Sequence, residues 1–354
     1  MATYSKPLPN SLKKGLGRAL AGFDAHQLAK YRRESAELKL VDAVNLLHPP
    51  HNEALQKLVA GELAAANTWE TKLTQVGQTA ENDEDKAAKK ADAWGELVRS
   101  GKIGYFALLR NLRNILEQAP DLMRYATAML TNGHLIERSL VMPFRFRTAL
   151  DAIEKSKLKG RQTMIAALSK AVDKSLCNVP RFGGRTLIAV DCSGSMIGRP
   201  MKIASLFASV LYKSNDADLM LFSGDARYVT FNKEDATLTT AQRIEEKAEW
   251  SGTNFHAIFD RAEACEAYDR VVILSDMQGW IGGHAPKAAF ERYVQRARKR
   301  PRIYSFDLAG LGTMQFPEKG VACVAGFSDK ALETMRFLEE DKGALVRQIE
   351  SIDL

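Results

Sequence analysis

Asp191-Cys192-Ser193-Gly194-Ser195 sets one carboxylate and two hydroxyls at i, i+2 and i+4, three hard oxygen donors within one turn of chain. Donors of that kind suit Mg²⁺ or Mn²⁺. The same side chains also cap helices and form turns without any metal, and on its own the motif leaves both readings open. Two further pieces at matching places favour the cation. Thr253 stands in Ser251-Gly252-Thr253 at the start of a helical pattern, and Asp276 closes the run Val271-Val272-Ile273-Leu274-Ser275. A nucleophilic serine fits less well, because the surrounding sequence is not Gly-x-Ser-x-Gly and no histidine is recognisably placed to activate it.

A cluster of this kind works only if separate loops meet at one place, and the chain from Arg185 onward has the pattern to bring them there. Short β-rich runs at 186–190, 218–222, 270–274, 302–306 and 321–324 alternate with helical patterns at 201–212, 241–248, 255–266, 286–298 and 330–340. That alternation predicts a Rossmann-like, doubly wound, mainly parallel sheet covered on both faces. In such a sheet ligands bind at the carboxyl ends of the strands, where Asp191 and Asp276 fall. Asp-x-Ser-x-Ser, a later Thr in a glycine-containing loop and a strand-terminal Asp together resemble the metal-ion-dependent adhesion site (MIDAS) of von Willebrand factor A (vWA) domains. The resemblance implies that Ser193, Ser195 and Thr253 coordinate a divalent cation directly or through water. It places Asp191 and Asp276 among or immediately behind these ligands, and leaves one position for an acidic group of a partner.

The first half reads as helices. A roughly helical recurrence over 23–47 is closed by His48-Pro49-Pro50, helical patterns cover 55–66 and 91–99, and 82–90 reads as a solvated helix end or loop. Over 105–118, Leu108, Leu109, Leu112, Ile115 and Leu116 recur at helical spacing, while Arg110 and Arg113 fall largely on another face. Short helices joined by brief loops suggest stacked helix pairs without a strict repeat. Charge is concentrated here: residues 99–185 hold 16 Lys+Arg against 6 Asp+Glu, whereas 1–98 are balanced and 186–354 are slightly acidic. Arg110, Arg113, Arg124, Arg138, Arg145, Arg147, Lys159 and Arg161 are the candidate phosphate contacts. A solvated helix face is the plain alternative.

Leu108-Leu109-Arg110-Asn111-Leu112-Arg113-Asn114-Ile115, Met142-Pro143-Phe144-Arg145-Phe146-Arg147-Thr148-Ala149-Leu150, and the join of Gly184-Arg185-Thr186 into the vWA motif resemble the Ro ribonucleoproteins of the TROVE (telomerase, Ro and vault) family. The late run Val324-Ala325-Gly326-Phe327-Ser328 resembles the Ro carboxyl end, and Phe23-Asp24 with Asn67-Thr68-Trp69-Glu70 resemble bacterial or phage forms. The family resemblance implies HEAT-like helical repeats that form a ring closed by the vWA domain. It also implies binding of small non-coding (Y-like) RNA on the rim and of single-stranded 3′ ends of misfolded RNA in a basic hole. The helical half is much shorter here than in animal Ro proteins.

A chain of 354 residues, 45% hydrophobic and 26% charged, has an ordinary globular composition, and its apolar runs are far too short to cross a bilayer. Cys177, Cys192, Cys265 and Cys323 form no C-x-x-C pair, which argues against structural zinc and a secreted disulfide framework. His48 and His51 lack a third ligand nearby, and Arg292 to Arg302 form either a second RNA patch or a solvated helix end. The expectation is a cytoplasmic, non-enzymatic RNA-binding protein. Residues 1–182 form its α-helical HEAT-like domain and 183–354 its vWA domain with Mg²⁺ or Mn²⁺. An RNA-processing protein is a further candidate partner. The alternative is a protein-interaction adaptor whose metal captures an acidic partner residue.

Overall fold

A computed structural model describes residues 8–32, 36–63, 69–101, 103–262, 267–279, 286–311, 315–316, 320–326, 328 and 330–340. The compact units divide at Ile103 and Gly104. The first contains six helices among its described residues: α1 (Asn10–Ala21), α2 (Ala25–Tyr31), α3 (Leu40–Leu47), α4 (Glu53–Val59), α5 (Trp69–Gln78) and α6 (Asp83–Arg99). α1 packs on α3 and α2 on α4 around a small core of Leu20, Leu28, Leu55, Leu58 and Leu63, and α5 packs on α6.

The single recurrence expected over 23–47 is two helices. Asp24 and Gln27 form a capping box that starts α2, and the chain leaves the helix at Arg32, which is extended at φ −64°, ψ 119° and donates to the Leu63 carbonyl at 3.5 Å. α3 then starts after Lys39, whose backbone N–H donates to Asp42 at 2.9 Å, and ends at His48 in the left-handed region. The helix expected over 55–66 stops at Val59, followed by Gly61 at φ +75°; positions 64–66 lie outside the described residues. The solvated stretch at 82–90 opens α6, with Asn82 as its cap and three acidic residues in the first turn, where the helix dipole favours them.

The second unit joins helices and sheet. Its helical part runs α7 (Tyr105–Gln118), α8 (Met123–Leu130), α9 (Gly133–Ser139), α10 (Arg145–Glu154) and α11 (Arg161–Ser175). The sheet part follows with β1 (Thr186–Asp191), α12 (Arg199–Ser214), β2 (Ala217–Phe222), β3 (Ala226–Val229), α13 (Thr237–Glu246) and α14 (His256–Arg261). After these come β4 (Arg270–Ser275), α15 (Pro286–Ala297), β5 (Arg302–Asp307), β6 (Val321–Ala325) and α16 (Lys330–Glu340). The sheet order is β3-β2-β1-β4-β5-β6, parallel throughout except for the edge strand β3. β1 and β4 are buried along their whole length because helices cover both faces, which is why their sequences read as unbroken apolar runs. β3 lacks such a run because it is short and mostly half-exposed, and the sequence pattern does not reveal it. The helix expected at 255–266 is the shorter α14, and 263–266 lie outside the described residues.

Helical and sheet parts share one core. Phe144, Val179 and Phe182 pack with Phe207 and Leu211 of α12, Ile188 and Val190 of β1, and Leu332 and Met335 of α16. Asp173 of α11 accepts from the Thr237 backbone N–H at 2.8 Å and from its hydroxyl at 2.6 Å, which ties α11 to α13. The change of period near residue 183 is therefore a change of architecture inside one packed unit. At the junction, Gly184 holds φ +76° directly against Asp269, and the buried Arg270 clamps the neighbouring carbonyls. Arg270 donates to the Gly183 carbonyl at 2.6 Å, the Thr186 hydroxyl at 2.8 Å and both Glu339 oxygens at 3.1 and 2.9 Å.

Candidate nucleic-acid interface and metal centre

The strand order reverses direction between β1 and β4, the crevice position where doubly wound sheets bind ligands. β1 delivers Asp191 there and β4 delivers Ser275 and Asp276. Asp191 is fully buried; its Oδ1 accepts from the Ser193 N–H at 2.8 Å and its Oδ2 from the Ser275 hydroxyl at 2.5 Å. The Ser193 and Ser195 hydroxyls stand 3.2 Å apart. Thr253 is buried in a loop stitched to both neighbouring loops: Gly194 N–H donates to the Ser251 carbonyl at 3.0 Å, Trp250 N–H to Cys192 at 2.9 Å and Asn254 N–H to Ser223 at 2.7 Å. These backbone bonds bring Thr253 to the Asp-x-Ser-x-Ser turn although some sixty residues separate them in sequence. Ser275 was not singled out from the sequence; its hydroxyl also accepts from Met277 N–H at 2.9 Å and so fixes the approach of Asp276.

Burial, aided by the charge of Asp276, pushes the Asp191 carboxyl up to about 6 against the hydrogen bonds of Ser275 and Ser193, which lower it. Among the described residues neither Asp191 nor Asp276 forms an ion pair, so two buried acids converge without a basic counter-charge. No group of three or more His, Cys, Asp or Glu forms among the described residues, so a metal here must draw on hydroxyls. Two carboxylates and three hydroxyls are a donor set for a hard divalent cation. Cys192 sits inside the motif but is buried, its thiol pushed up to about 12 chiefly by that burial, and it faces the Val190 carbonyl.

The eight basic candidates do not form one site. Arg110 and Arg113 on α7 and Arg145 on α10 line one cleft of about 590 Å³, together with Phe106, Asn114 and Thr148. Arg113 reaches Glu117 only at 3.8 Å, and Phe106 is 47% exposed. Arg147 points to the other side of α10, 3.0 Å from Asp151. Arg161 donates to the carbonyls of Glu154 and Ser156 at 3.2 and 3.4 Å and closes the turn between α10 and α11. Arg124 lies over the ring of Tyr125 at 4.6 Å, and Arg138 and Lys159 are exposed away from the cleft. Sequence reasoning missed Phe106, although it stands at i with Arg110 at i+4 and Arg113 at i+7, one stripe of α7.

Other candidates resolve as scaffolding. Arg292 pairs with Asp260 and Arg300 with Glu291, while Arg296 donates to the Phe259 carbonyl, so this stretch is committed to its own domain. Trp69 stacks on the buried Trp94 at 5.9 Å, and the His51 ring meets Gln56 at 2.8 Å; Trp280, Cys265, Phe327 and Asn67-Thr68 lie outside the described residues.

Residues 63–193 match the TROVE domain, a span that contains the arginine cleft and ends at the metal motif. That span of the chain is a TROVE domain. A stretch of 98 residues, 27% of this chain, is 33% identical to telomerase protein component 1 of Mus musculus, of whose length it spans 3%. The fold matches the Ro (RSR) protein of Deinococcus radiodurans at a TM-score of 0.67 and 20% identity, covering 91% of this chain and 75% of that one. The chain thus shares the fold of that protein, a helical region followed by a mainly parallel sheet with flanking helices. Among its described residues no helix is long and apolar enough to cross a membrane.

Proposed function

We propose that this chain is an RNA-binding protein, not an enzyme, whose α7–α10 cleft takes single-stranded RNA. The TROVE family binds RNA, and what carries the reading to this site is the convergence of Arg110, Arg113 and Arg145 with an exposed Phe106 in one cleft. Guanidinium groups pair with phosphate oxygens, and an exposed aromatic ring stacks on an unpaired base. The ligand is a small non-coding, Y-like RNA or the single-stranded 3′ end of a misfolded RNA. The vWA part holds Mg²⁺ or Mn²⁺ through Ser193, Ser195 and Thr253 with Asp191 and Asp276 beside them. When bound, the cation supplies positive charge and an open position for an acidic group.

The test is a competition among one RNA with a free 3′ tail, the same RNA blunt-ended, and the same RNA with its tail circularised. Preference for the free-tailed RNA over the blunt one supports single-strand recognition, and loss of that preference on circularisation adds that an end must enter. Equal affinity for all three would refute it. The adaptor reading has one observation in its favour: Ile197 and Trp250, on the loops that build the metal site, are exposed apolar residues suited to a protein surface. A stoichiometric protein partner in an RNA-free preparation from the host would decide for it.

A further inference from the structure

On the other side of α10 lies a second cleft, of about 450 Å³, between α10 and α12 of the sheet part. Its floor is apolar, with Phe144, Ile203 and Leu206, and its rim carries Arg147, Arg199 and Lys202 against a single carboxylate, Asp151. That carboxylate is already 3.0 Å from Arg147. Arg199 and Lys202 are exposed and form no ion pair among the described residues, so neither is used to hold the fold. Two cations left unneutralised over an apolar floor match a chain of phosphates that carries flat apolar groups. Thr148, exposed on α10, lines both this cleft and the α7–α10 cleft, so only the face of one helix separates them.

We propose that a single RNA strand seated in the α7–α10 cleft crosses α10 at Thr148 and continues into the α10–α12 cleft, where Arg199 and Lys202 hold its phosphates. The proposal rests on the RNA-binding reading and extends it, because it makes a helix of the vWA part an RNA contact. That helix starts three residues after Met196, in the turn that follows Ser195. A strand on α12 is therefore bound next to the metal motif. The helical part alone would hold only half of the path.

The experiment measures binding of uridine oligomers of about four and about ten nucleotides, within the ~4–16 nucleotides that single-strand grooves occupy. The proteins are the full chain, the Arg199→Gln/Lys202→Gln variant and the Arg110→Gln/Arg113→Gln variant. The full chain should bind the longer oligomer at least about tenfold more tightly than the shorter. The α12 variant should lose that increment, leave the shorter oligomer unaffected and lower the salt slope for the longer one by about 1.4, at ~0.7 for each phosphate no longer neutralised. Unchanged affinity of the α12 variant for the longer oligomer, or equal loss for both lengths, overturns the proposal. A full chain that binds the short oligomer but gains nothing from length overturns it while sparing the RNA-binding reading; one that binds neither overturns both. An acidic decapeptide that displaces the longer oligomer as well as RNA does also overturns it, since the cleft would then read charge alone.

Discussion

Arg270→Met should strip the second unit of much of its stability at neutral pH and change how that stability responds to acid. Arg270 is only 1% exposed and donates four short hydrogen bonds: two to Glu339, one to the Gly183 carbonyl and one to the Thr186 hydroxyl. Its guanidinium also stacks over Phe182 at 5.1 Å. Methionine fills much of the same volume but takes the guanidinium from the Glu339 charge, which keeps only the Tyr304 hydroxyl at 3.0 Å, and from the Gly183 carbonyl. Breaking a buried pair by removing one partner costs about 3–5 kcal/mol. Glu339 keeps 21% side-chain exposure and regains some water, which brings the expectation to ~2–4 kcal/mol. For a unit of this size that is roughly 4–16 °C in Tm.

The pH dependence gives the sharper test. Burial alone would raise the Glu339 carboxyl, but the hydrogen bond and charge of Arg270, with Tyr304 and Arg302, outweigh it and hold the group below its ordinary 4.5. A carboxyl depressed by folding contributes stability above its unfolded pKa, and that contribution fades as pH falls through the folded value. Denaturation curves for the wild type and Arg270→Met should therefore stand furthest apart near neutrality and draw together as pH falls below the ordinary 4.5 of a glutamate. Glu339→Gln in the wild-type background should flatten the same acid limb. A neutral-pH loss below ~1 kcal/mol, or two curves that stay parallel into acid, would show that the clamp does not act through Glu339.

Three further outcomes are expected. Mg²⁺ at a hundredfold its Kd should stabilise the chain by ~2.7 kcal/mol, and Asp191→Ala should abolish the increment; identical melting with Mg²⁺ and with chelator for both proteins would remove the site. Arg110→Gln/Arg113→Gln should flatten the salt dependence of RNA binding by ~0.7 to 1 for each phosphate that loses its arginine, and an unchanged slope would take both arginines out of the interface. Gly184→Ala should cost ~2–4 kcal/mol in denaturant unfolding, because the residue holds φ +76° and an added Cβ would collide with the Asp269 carboxylate; a cost under ~1 kcal/mol would contradict that crowding.

β1, β2, β4 and β5 were legible because burial on both faces writes them as nearly continuous apolar runs, and the metal motif because Asp-x-Ser-x-Ser follows one such run directly. Thr253 and Asp276 could be placed with it because each lies where a helix starts or a strand ends. What pattern alone could not supply was the destination of long cationic side chains. Arg147, Arg161 and Arg296 read like Arg110 in sequence, yet each is taken up by a nearby carboxylate or carbonyl that only the folded chain brings within reach. Arg270 looked like an ordinary strand residue, and its partner Glu339 lies on a helix formed much later in the chain.

The core shared by the helices and the sheet also sets a timetable for synthesis. Phe144 leaves the ribosome long before Phe306, although both belong to one cluster in which Phe207 touches each of them, at ring distances of 5.5 and 5.0 Å. At ~5–20 residues per second, the helices α7 to α11 wait several seconds for α12 and α13, the helices that pack on them. During that interval their apolar face has no native partner on the nascent chain. A stalled or truncated product ending near residue 183 would carry the same bare face permanently, and its tendency to aggregate would be a property of the cut, not of the helices themselves.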